Sequence, residues 1–296
     1  MGRAEIKRFR RAAEEATAFL KPKLDGGTKV KIISHTDADG ISAAAILARC
    51  LYSYNVPFTV KFGRAPNEED IARLAQESHD LFIFLDQGSG QLDAINKHLL
   101  SKHKDVLIID HHPGQFLESS NLSIVNPHAC GLNGAMDVSA SGATFSVVEQ
   151  MDLRFRSLIG LAIVGAIGDR QEQSSGFVSV NDTLLKRAID LGLINESEGL
   201  KLVRRSLSPV VECIKTSTKP YIQGLSDNLV ACHSLIDTLG ISSSSRISEL
   251  GLEVEKGLSE AIFSRVGALA AKEEFRHALW APFTLPPRMT SQGRGS

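Results

Sequence analysis

Short apolar runs that alternate with helix-like segments constrain the fold of this 296-residue chain more than any other feature of its sequence. The strand-like runs cover residues 30–34, 58–62, 81–85, 106–109 and 122–125. The third and fourth runs are apolar at every position, which is typical of strands in a parallel sheet that is covered on both faces. The sequence therefore predicts an α/β fold, in which a doubly wound, mainly parallel five-stranded sheet is followed by a mostly helical C-terminal region.

The segments around this alternation predict the domain organisation. Apolar residues at helical spacing predict a helix over 4–20, within an N-terminal segment 1–24. Residues 25–195 are expected to form the α/β domain, and 196–280 a helical extension or a partial second domain. The last residues, 281–296, are rich in Pro, Arg, Ser and Gly and predict a disordered tail. Amphipathic patterns in the extension predict two helices, at 196–205 and 210–218.

Composition limits the partners and the environment that suit this chain. The net charge is -1, so no overall basic field indicates nucleic acid. The basic face of the first helix, with Lys7, Arg8, Arg10 and Arg11, is either a solvated surface or a local contact to nucleic acid. Four widely spaced cysteines suit a reducing compartment, and the N-terminus has no apolar signal core. No apolar run is long enough to span a bilayer, so we expect a cytoplasmic protein without a membrane partner.

Imidazole and carboxylate side chains follow three of the predicted strands at the point where each strand ends. His35, Asp37 and Asp39 follow the first strand at alternate positions, and Asp86 follows the third. The fourth strand ends in Asp110-His111-His112. Open α/β sheets keep their active sites at the carboxyl ends of their strands, and several unpaired carboxylates are costly to bury there without a metal. The alternative interpretation of Asp-x-Asp-Gly is an ordinary turn or helix N-cap.

Two later segments add candidate site residues. Asp169 follows the apolar, helix-like run 158–168, where the negative end of the helix dipole does not favour an acid, so Asp169 is either a metal ligand or a surface loop residue. A second helix is predicted to open after Asp137 and to run to about Met151, with Ser139 or Ser141 as its cap. Its free N–H groups are a candidate phosphate site.

The donor set, which has no thiol, suits hard or borderline divalent ions. Mn²⁺ matches the imidazoles better than Mg²⁺ does, although Mg²⁺ is possible. The set is large enough for two ions roughly 3.5–4 Å apart with a bridging carboxylate, the arrangement that catalyses in-line hydrolysis of phosphate esters. Its members are His35, Asp37, Asp39, Asp86, His111, His112 and Asp169.

The order of these motifs resembles the DHH phosphoesterase superfamily. The resemblance rests on His-x-Asp-x-Asp-Gly at 35–40, Asp-x-Gly at 86–88, Asp-His-His at 110–112 and Gly-Asp at 168–169. Further segments, at 126–128, 131–142, 165–171 and 219–224, are similar to the archaeal RecJ-like nucleases, which include the GINS-associated nuclease. The likeness covers roughly residues 5–240.

The resemblance implies a role for each motif residue. His35 and Asp37 would hold one metal ion, and Asp86 would bridge to a second ion. That second ion would be held by Asp39, His111 and Asp169. His112 would contact the scissile phosphate or assist proton transfer, and Asp110 would orient the histidines, as carboxylates beside metal-bound imidazoles do. Ser141 and Gly142 would lie near the substrate phosphate.

One part of the family pattern is missing. Most members carry a C-terminal DHHA1 domain, whose Gly-Gly-Gly-His-type loop binds nucleic acid. The only adjacent glycines here are Gly26 and Gly27, before the first strand, and the similarity ends near Gly240. We therefore expect a chain without a complete DHHA1 domain.

The resulting functional prediction is a Mn²⁺-dependent phosphodiesterase of single-stranded DNA or RNA, a RecJ-like exonuclease in DNA replication or repair. One alternative is a replisome scaffold that binds GINS or the replicative helicase complex with little catalysis. Another is a phosphoesterase of short oligonucleotides or cyclic dinucleotides. Aromatic residues make up only 6% of the chain, which favours phosphate contacts over base stacking.

Overall fold

The protein's structure, a computed structural model, describes residues 2–24, 27–172, 176–200, 202, 204–218, 221–266 and 280–285. The chain divides into two compact units, Met1–Leu193 and Ile194–Ser296. The four-part division expected from the sequence stays a prediction. Gly26, and residues 219–220 of the last segment that carries the resemblance, lie outside the described residues.

A five-stranded sheet forms the centre of the first unit. Every neighbouring pair of strands is parallel, in the order β2-β1-β3-β4-β5. This arrangement confirms the predicted α/β fold, and strand bounds agree with the predicted runs to within one residue. The strands are β1 Val30–Ser34, β2 Phe58–Phe62, β3 Leu81–Leu85, β4 Asp105–Ile109 and β5 Leu122–Val125.

Helices cover both faces of this sheet. On one face, α3 and α4 pack with Ile33, Phe82 and Ile108 into a buried cluster. The helices α1, α2 and α5 contact the strands as well, and α6 packs on α2 and α5. This double cover explains why β3 and β4 are apolar throughout. The helices are α1 Arg3–Leu20, α2 Ala38–Ser53, α3 Glu68–Leu74, α4 Leu92–His98, α5 Ala140–Met151, α6 Ile159–Gly168 and α7 Ser179–Asp190, and short 3₁₀ turns lie at Lys21–Leu24, Ser89–Gln91, Leu100–Lys102, Pro127–Cys130 and Leu153–Leu158.

The strand order places a topological switch between β1 and β3. The chain leaves β1 through α2 toward β2 at one edge, and it leaves β3 through α4 toward β4 in the opposite direction. Such a divergence opens a crevice at the carboxyl ends of the two strands, where open α/β sheets bind ligands. The first and second acidic motifs follow these two strands.

The second unit has its own core and a two-stranded antiparallel sheet. Its elements are β6 Asn195–Leu200, α8 Val210–Lys215, α9 Leu229–Thr238, α10 Leu252–Val266 and β7 Trp280–Leu285, with a 3₁₀ turn at Ile247–Glu249. The helix predicted over 196–205 is therefore wrong, because its described residues form a strand up to Leu200 and a turn at 204–205. The disorder predicted from 281 is wrong as far as 285. Each of these segments acquires its structure by pairing with the other, a long-range contact that a local pattern does not encode. Residues 286–296 lie outside the described part of the chain.

No helix among the described residues is both long and apolar enough to cross a membrane.

Candidate metal centre

Strand register brings the predicted site residues to one edge of the sheet. Ser34 of β1 lies opposite Leu85 of β3, and Leu85 lies opposite Ile109 of β4. The three strands therefore end level with one another. The residues that follow them are His35, Asp86 and Asp110.

The segment after β1 holds the first group of donors. The Nδ1 atom of His35 lies 2.7 Å from Oδ2 of Asp37 and 3.5 Å from Oδ2 of Asp86. Asp37 also caps α2, because its Oδ1 accepts a hydrogen bond of 2.9 Å from the N–H of Gly40. This cap starts the helix at Ala38. Gly40 is required by close packing, since a Cβ there would collide with the carbonyl group of His35.

His111 lies at the centre of the second group. Its Nε2 atom is 3.1 Å from Oδ1 of Asp86, 3.5 Å from Oδ2 of Asp169 and 3.9 Å from Oδ2 of Asp39. Its Nδ1 atom lies 2.7 Å from the carbonyl oxygen of Gly134. Since that oxygen can only accept, Nδ1 carries a proton, and Nε2 is the ring nitrogen that faces the carboxylates and that a metal would bind.

Electrostatics show that these carboxylates attract positive charge. Burial alone would lower the pKa of His111, but the hydrogen bond and charge of neighbouring acids, Asp86 first among them, raise it well above its usual range. Burial also raises the pKa of Asp86 and that of Asp39. Burial therefore disfavours the ionised form of these carboxylates, and a bound divalent cation would offset that cost.

Asp39 is fully buried and is held by the start of α5. Its Oδ2 accepts from the N–H of Ala140 at 2.7 Å, and its Oδ1 accepts from the N–H of Ser141 at 2.9 Å. The N–H groups at this helix start, which the sequence analysis considered as a phosphate site, thus bind a carboxylate of the chain itself. A helix N-terminus suits this role because its dipole stabilises negative charge. Gly165 of α6 allows the close approach, since a Cβ there would collide with the Asp39 carboxylate.

Ser141 and Gly142 are buried in the same helix start. The hydroxyl of Ser141 donates to the carbonyl of Ala162 at 3.0 Å, and the N–H of Gly142 donates to the Ser139 hydroxyl at 3.1 Å. Ser139 is therefore the N-cap of α5, one of the two serines proposed for it. The substrate contact expected of Ser141 and Gly142 stays a prediction, and the observed contacts give both residues a structural role.

Asp110 and His112 form a pair next to the metal-ligand candidates. The buried Oδ1 of Asp110 lies 2.8 Å from Nδ1 of His112, and its Oδ2 accepts from the N–H of Ser89 at 3.0 Å. Burial would raise the pKa of Asp110, but these hydrogen bonds outweigh it and lower the pKa. The same hydrogen bond raises the pKa of His112. The ionised Asp110 thus fixes His112 through Nδ1 and leaves Nε2 directed elsewhere.

A metal site is indicated where buried polar atoms without a hydrogen bond lie close together. Among the described residues, the atoms without a well-directed hydrogen bond include both carboxylate oxygens of Asp86, Nε2 of His111 and Nδ1 of His35, although these atoms lie within ion-pair distance of one another or of Asp37. Buried polar atoms without well-directed hydrogen bonds are rare, and here they converge. Three ligand groupings result: His35 with Asp37 and Asp86, Asp39 with His111 and Asp169, and Asp86 with His111 and His112. Asp86 belongs to two of them, as a bridging carboxylate would.

Gln171 was not singled out by the sequence analysis, although it lies two residues after Asp169. It is fully buried, and its Nε2 donates at 2.8 Å both to Oδ2 of Asp169 and to the carbonyl of Gly134. Its Oε1 accepts from Nδ2 of Asn181 on α7 at 2.7 Å. Gln171 therefore links the carboxylate of Asp169, a candidate ligand, to the carbonyl that orients His111.

Asn126 is a second residue that the sequence analysis left without a role. It follows β5 at the same sheet edge, and its buried Nδ2 donates to the hydroxyl of Ser89 and to the carbonyl of His112, each at 2.9 Å. It thus ties together the segments that follow β3, β4 and β5. Its position directly after a strand was the signal that could have indicated it.

A cleft of about 260 Å³ opens beside these side chains. It is lined by His35, Ala65, Asp86, Gln87, Gly90, Gln91, Asp110, His112 and Pro113. A larger groove of about 520 Å³ lies between α1, α5 and α7, away from these residues. We assign the chemistry to the smaller cleft because it alone of the two contains the converging donors.

Comparisons with known proteins show what this chain is similar to. A model of the DHH family, N-terminal domain, matches residues 29–166. An uncharacterized protein of Methanocaldococcus jannaschii is 31% identical over 257 residues, which are 84% of this chain and 57% of that protein. The single-stranded-DNA-specific exonuclease RecJ of Bacillus subtilis is 26% identical over 167 residues, which are 53% of this chain and 21% of that protein. The chain thus spans little more than half of the first relative and about a fifth of the second.

Solved structures share the fold. RecJ from Thermus thermophilus, crystallised in complex with Mn²⁺, matches 90% of this chain and 36% of its own, with a TM-score of 0.50 and 18% identity. CDC45 from Entamoeba histolytica matches 95% of this chain and 60% of its own, with a TM-score of 0.66 and 12% identity. At such low identity the likeness concerns the fold alone. Residues 29–166 therefore match the DHH family, N-terminal domain, the chain is similar in sequence to RecJ, and the solved structures share its fold.

Proposed function

We propose that this protein is a divalent-metal-dependent phosphodiesterase that hydrolyses single-stranded nucleic acid from its ends, with Mn²⁺ as the preferred ion. The observation that carries the proposal is the convergence of buried candidate ligand atoms of Asp86, His111 and His35, none with a well-directed hydrogen bond, at the carboxyl ends of β1, β3 and β4. The RecJ relative is an exonuclease by name, and the T. thermophilus protein was crystallised with Mn²⁺. Both facts support the same chemistry.

The proposed ligands fall into two sets that share Asp86. His35 and Asp37 form one set with it, and His111, Asp39 and Asp169 form the other. Divalent ions in such sites lower the pKa of a bound water and stabilise charge on the phosphoryl oxygens. The chain's contribution is orientation. The α5 N-terminus holds Asp39, the Gly134 carbonyl fixes the tautomer of His111, and Gln171 directs Asp169.

His112 is the proposed proton-transfer residue. Its side chain is about half exposed, and Asp110 holds its Nδ1 while Nε2 is left for the substrate. An imidazole held in this way can hydrogen-bond the scissile phosphate or protonate the leaving oxygen. Loss of the Asp110 carboxylate would free the ring to rotate.

Hydrolysis of end-labelled single-stranded DNA and RNA with Mn²⁺ tests the proposal. We expect wild-type protein to degrade at least one of these substrates, and Asp86→Ala to lose activity by several orders of magnitude while it retains its circular dichroism spectrum. Strands labelled at one end or the other show from which end the protein digests. Equal activity in wild type and Asp86→Ala would refute the two-metal assignment.

The same assay separates the alternatives. A product profile confined to strands of two to five nucleotides would favour a phosphoesterase of short oligonucleotides or cyclic dinucleotides. A wild-type protein that binds Mn²⁺ without hydrolysis would call for reassay with GINS or another replisome partner. A protein that binds no Mn²⁺ would favour the scaffold role, which agrees with the fold shared with CDC45.

A further inference from the structure

Gln87 is a buried polar side chain to which the proposed metal chemistry gives no role. It directly follows Asp86 at the end of β3, and only 4% of it is exposed. Neither its amide nitrogen nor its amide oxygen has a hydrogen-bond partner among the described residues. A buried amide left unpaired destabilises a folded chain, so such groups are rare and have a cause.

The surroundings of Gln87 indicate that cause. Gln87 lines the cleft of about 260 Å³ together with the proposed metal ligands Asp86 and His35 and with His112, the proposed contact to the scissile phosphate. Gln91 lines the same cleft, but its Oε1 accepts a hydrogen bond of 3.0 Å from the N–H of Gly88. The cleft therefore contains one glutamine that stabilises the loop and one whose amide is unpaired. Only the unpaired one has both hydrogen-bonding groups available to a ligand.

We propose that Gln87 is a substrate-binding residue of this cleft, whose amide holds the nucleotide at the reacting end of the strand. An amide is satisfied by a ligand that offers an acceptor for Nε2 and an O–H donor for Oε1. In a nucleic acid, the ribose 2′-hydroxyl provides both, and so does a phosphoryl oxygen beside the water that attacks it. This inference rests on the proposed function and names the recognition chemistry of the same site.

Gln87→Met tests the role, because methionine is unbranched and of similar size but has no amide. Gln91→Met is the matched control, since it removes a glutamine of the same cleft that is already hydrogen-bonded. For each protein we would measure the melting temperature, the Mn²⁺ affinity by calorimetry, and kcat/KM on an RNA and a DNA strand of the same sequence.

The two variants should differ in the sign of their stability change. Gln87→Met should melt at the same temperature as wild type or higher, because it removes an unsatisfied buried group, whereas Gln91→Met should melt lower. Mn²⁺ affinity of Gln87→Met should stay within about twofold of wild type, and kcat/KM should fall about tenfold or more. A fall on RNA alone identifies the 2′-hydroxyl as the bound group. A fall on both strands identifies the phosphate and its attacking water.

Two outcomes would overturn the inference. One is an unchanged kcat/KM of Gln87→Met on both strands, and the other is a lower melting temperature with weaker Mn²⁺ binding, which would show a structural role. A wild type that stays inactive both alone and with a replisome partner would instead contradict the proposed function. The inference on Gln87 would then be decided by the dissociation constants of labelled RNA and DNA, which should rise about tenfold or more in Gln87→Met if it is correct and stay unchanged if it is wrong.

Discussion

At the scale of single residues, the site depends on groups that fix the ligands as much as on the ligands themselves. His111 illustrates this, because the Gly134 carbonyl at its Nδ1 decides which nitrogen faces the carboxylates. Gly134 is itself constrained, since a Cβ there would collide with the carbonyl of His111. Partners of this kind orient the ligands, and mutating them can change metal affinity about as strongly as mutating a ligand does.

Gln171→Leu should weaken Mn²⁺ binding about 10- to 100-fold, because it removes the amide that holds Asp169 and the Gly134 carbonyl. Calorimetric titration of the metal-free protein measures this directly. Gln171→Glu provides the comparison: its length is kept, but its carboxylate cannot donate to Asp169. A Gln171→Leu protein with wild-type Mn²⁺ affinity would contradict the positioning role.

At the scale of elements, α5 is the helix that organises the second group of donors. Ser139 caps it, and the two N–H groups that follow hold Asp39. Helix α6 approaches this start closely enough that Gly165 has no room for a Cβ. The position of Asp39 therefore depends on how one helix begins and on how a second helix packs against it.

Ser139→Ala should lower the free energy of unfolding by about 1 kcal/mol, the usual effect of removing an N-cap hydroxyl. Because the cap also sets the start of α5, Mn²⁺ affinity should fall with it. Ser146→Ala on the same helix is the control, since its hydroxyl donates to the Gly142 carbonyl within the helix and caps nothing. Urea denaturation measures the free energy of unfolding of both variants. An equal loss in Ser139→Ala and Ser146→Ala would contradict the capping role of Ser139.

At the scale of the whole molecule, the site residues all belong to Met1–Leu193, and the second unit has a separate buried core. The RecJ relative extends well beyond the region that this chain matches. We therefore place the metal chemistry in the first unit alone.

Saturating Mn²⁺ should slow hydrogen exchange in the first unit, at residues 35–40, 86–90, 110–112 and 165–171. Binding at about 100 times the dissociation constant stabilises a folded unit by about 2.7 kcal/mol. The helices α8 and α9 should be unaffected, and a chelator should reverse the change. Mass spectrometry on wild type and Asp86→Ala provides the measurement. Equal protection of both units, or protection in Asp86→Ala, would contradict the assignment.

The sequence by itself determined the sheet, its strands and the edge at which the functional groups collect, because strand burial and strand-end residues are local features. It also indicated the carboxylate and imidazole set, since these motifs lie within a few residues of a strand or helix end. The tertiary structure alone decided which of these groups meet. Asp39 and the start of α5, or Gln171 and the carbonyl of Gly134, are distant in sequence and are joined by hydrogen bonds that only packing creates. The pairing of β6 with β7 was undetected for the same reason, because a strand at the edge of a small sheet depends on its partner and not on its own pattern.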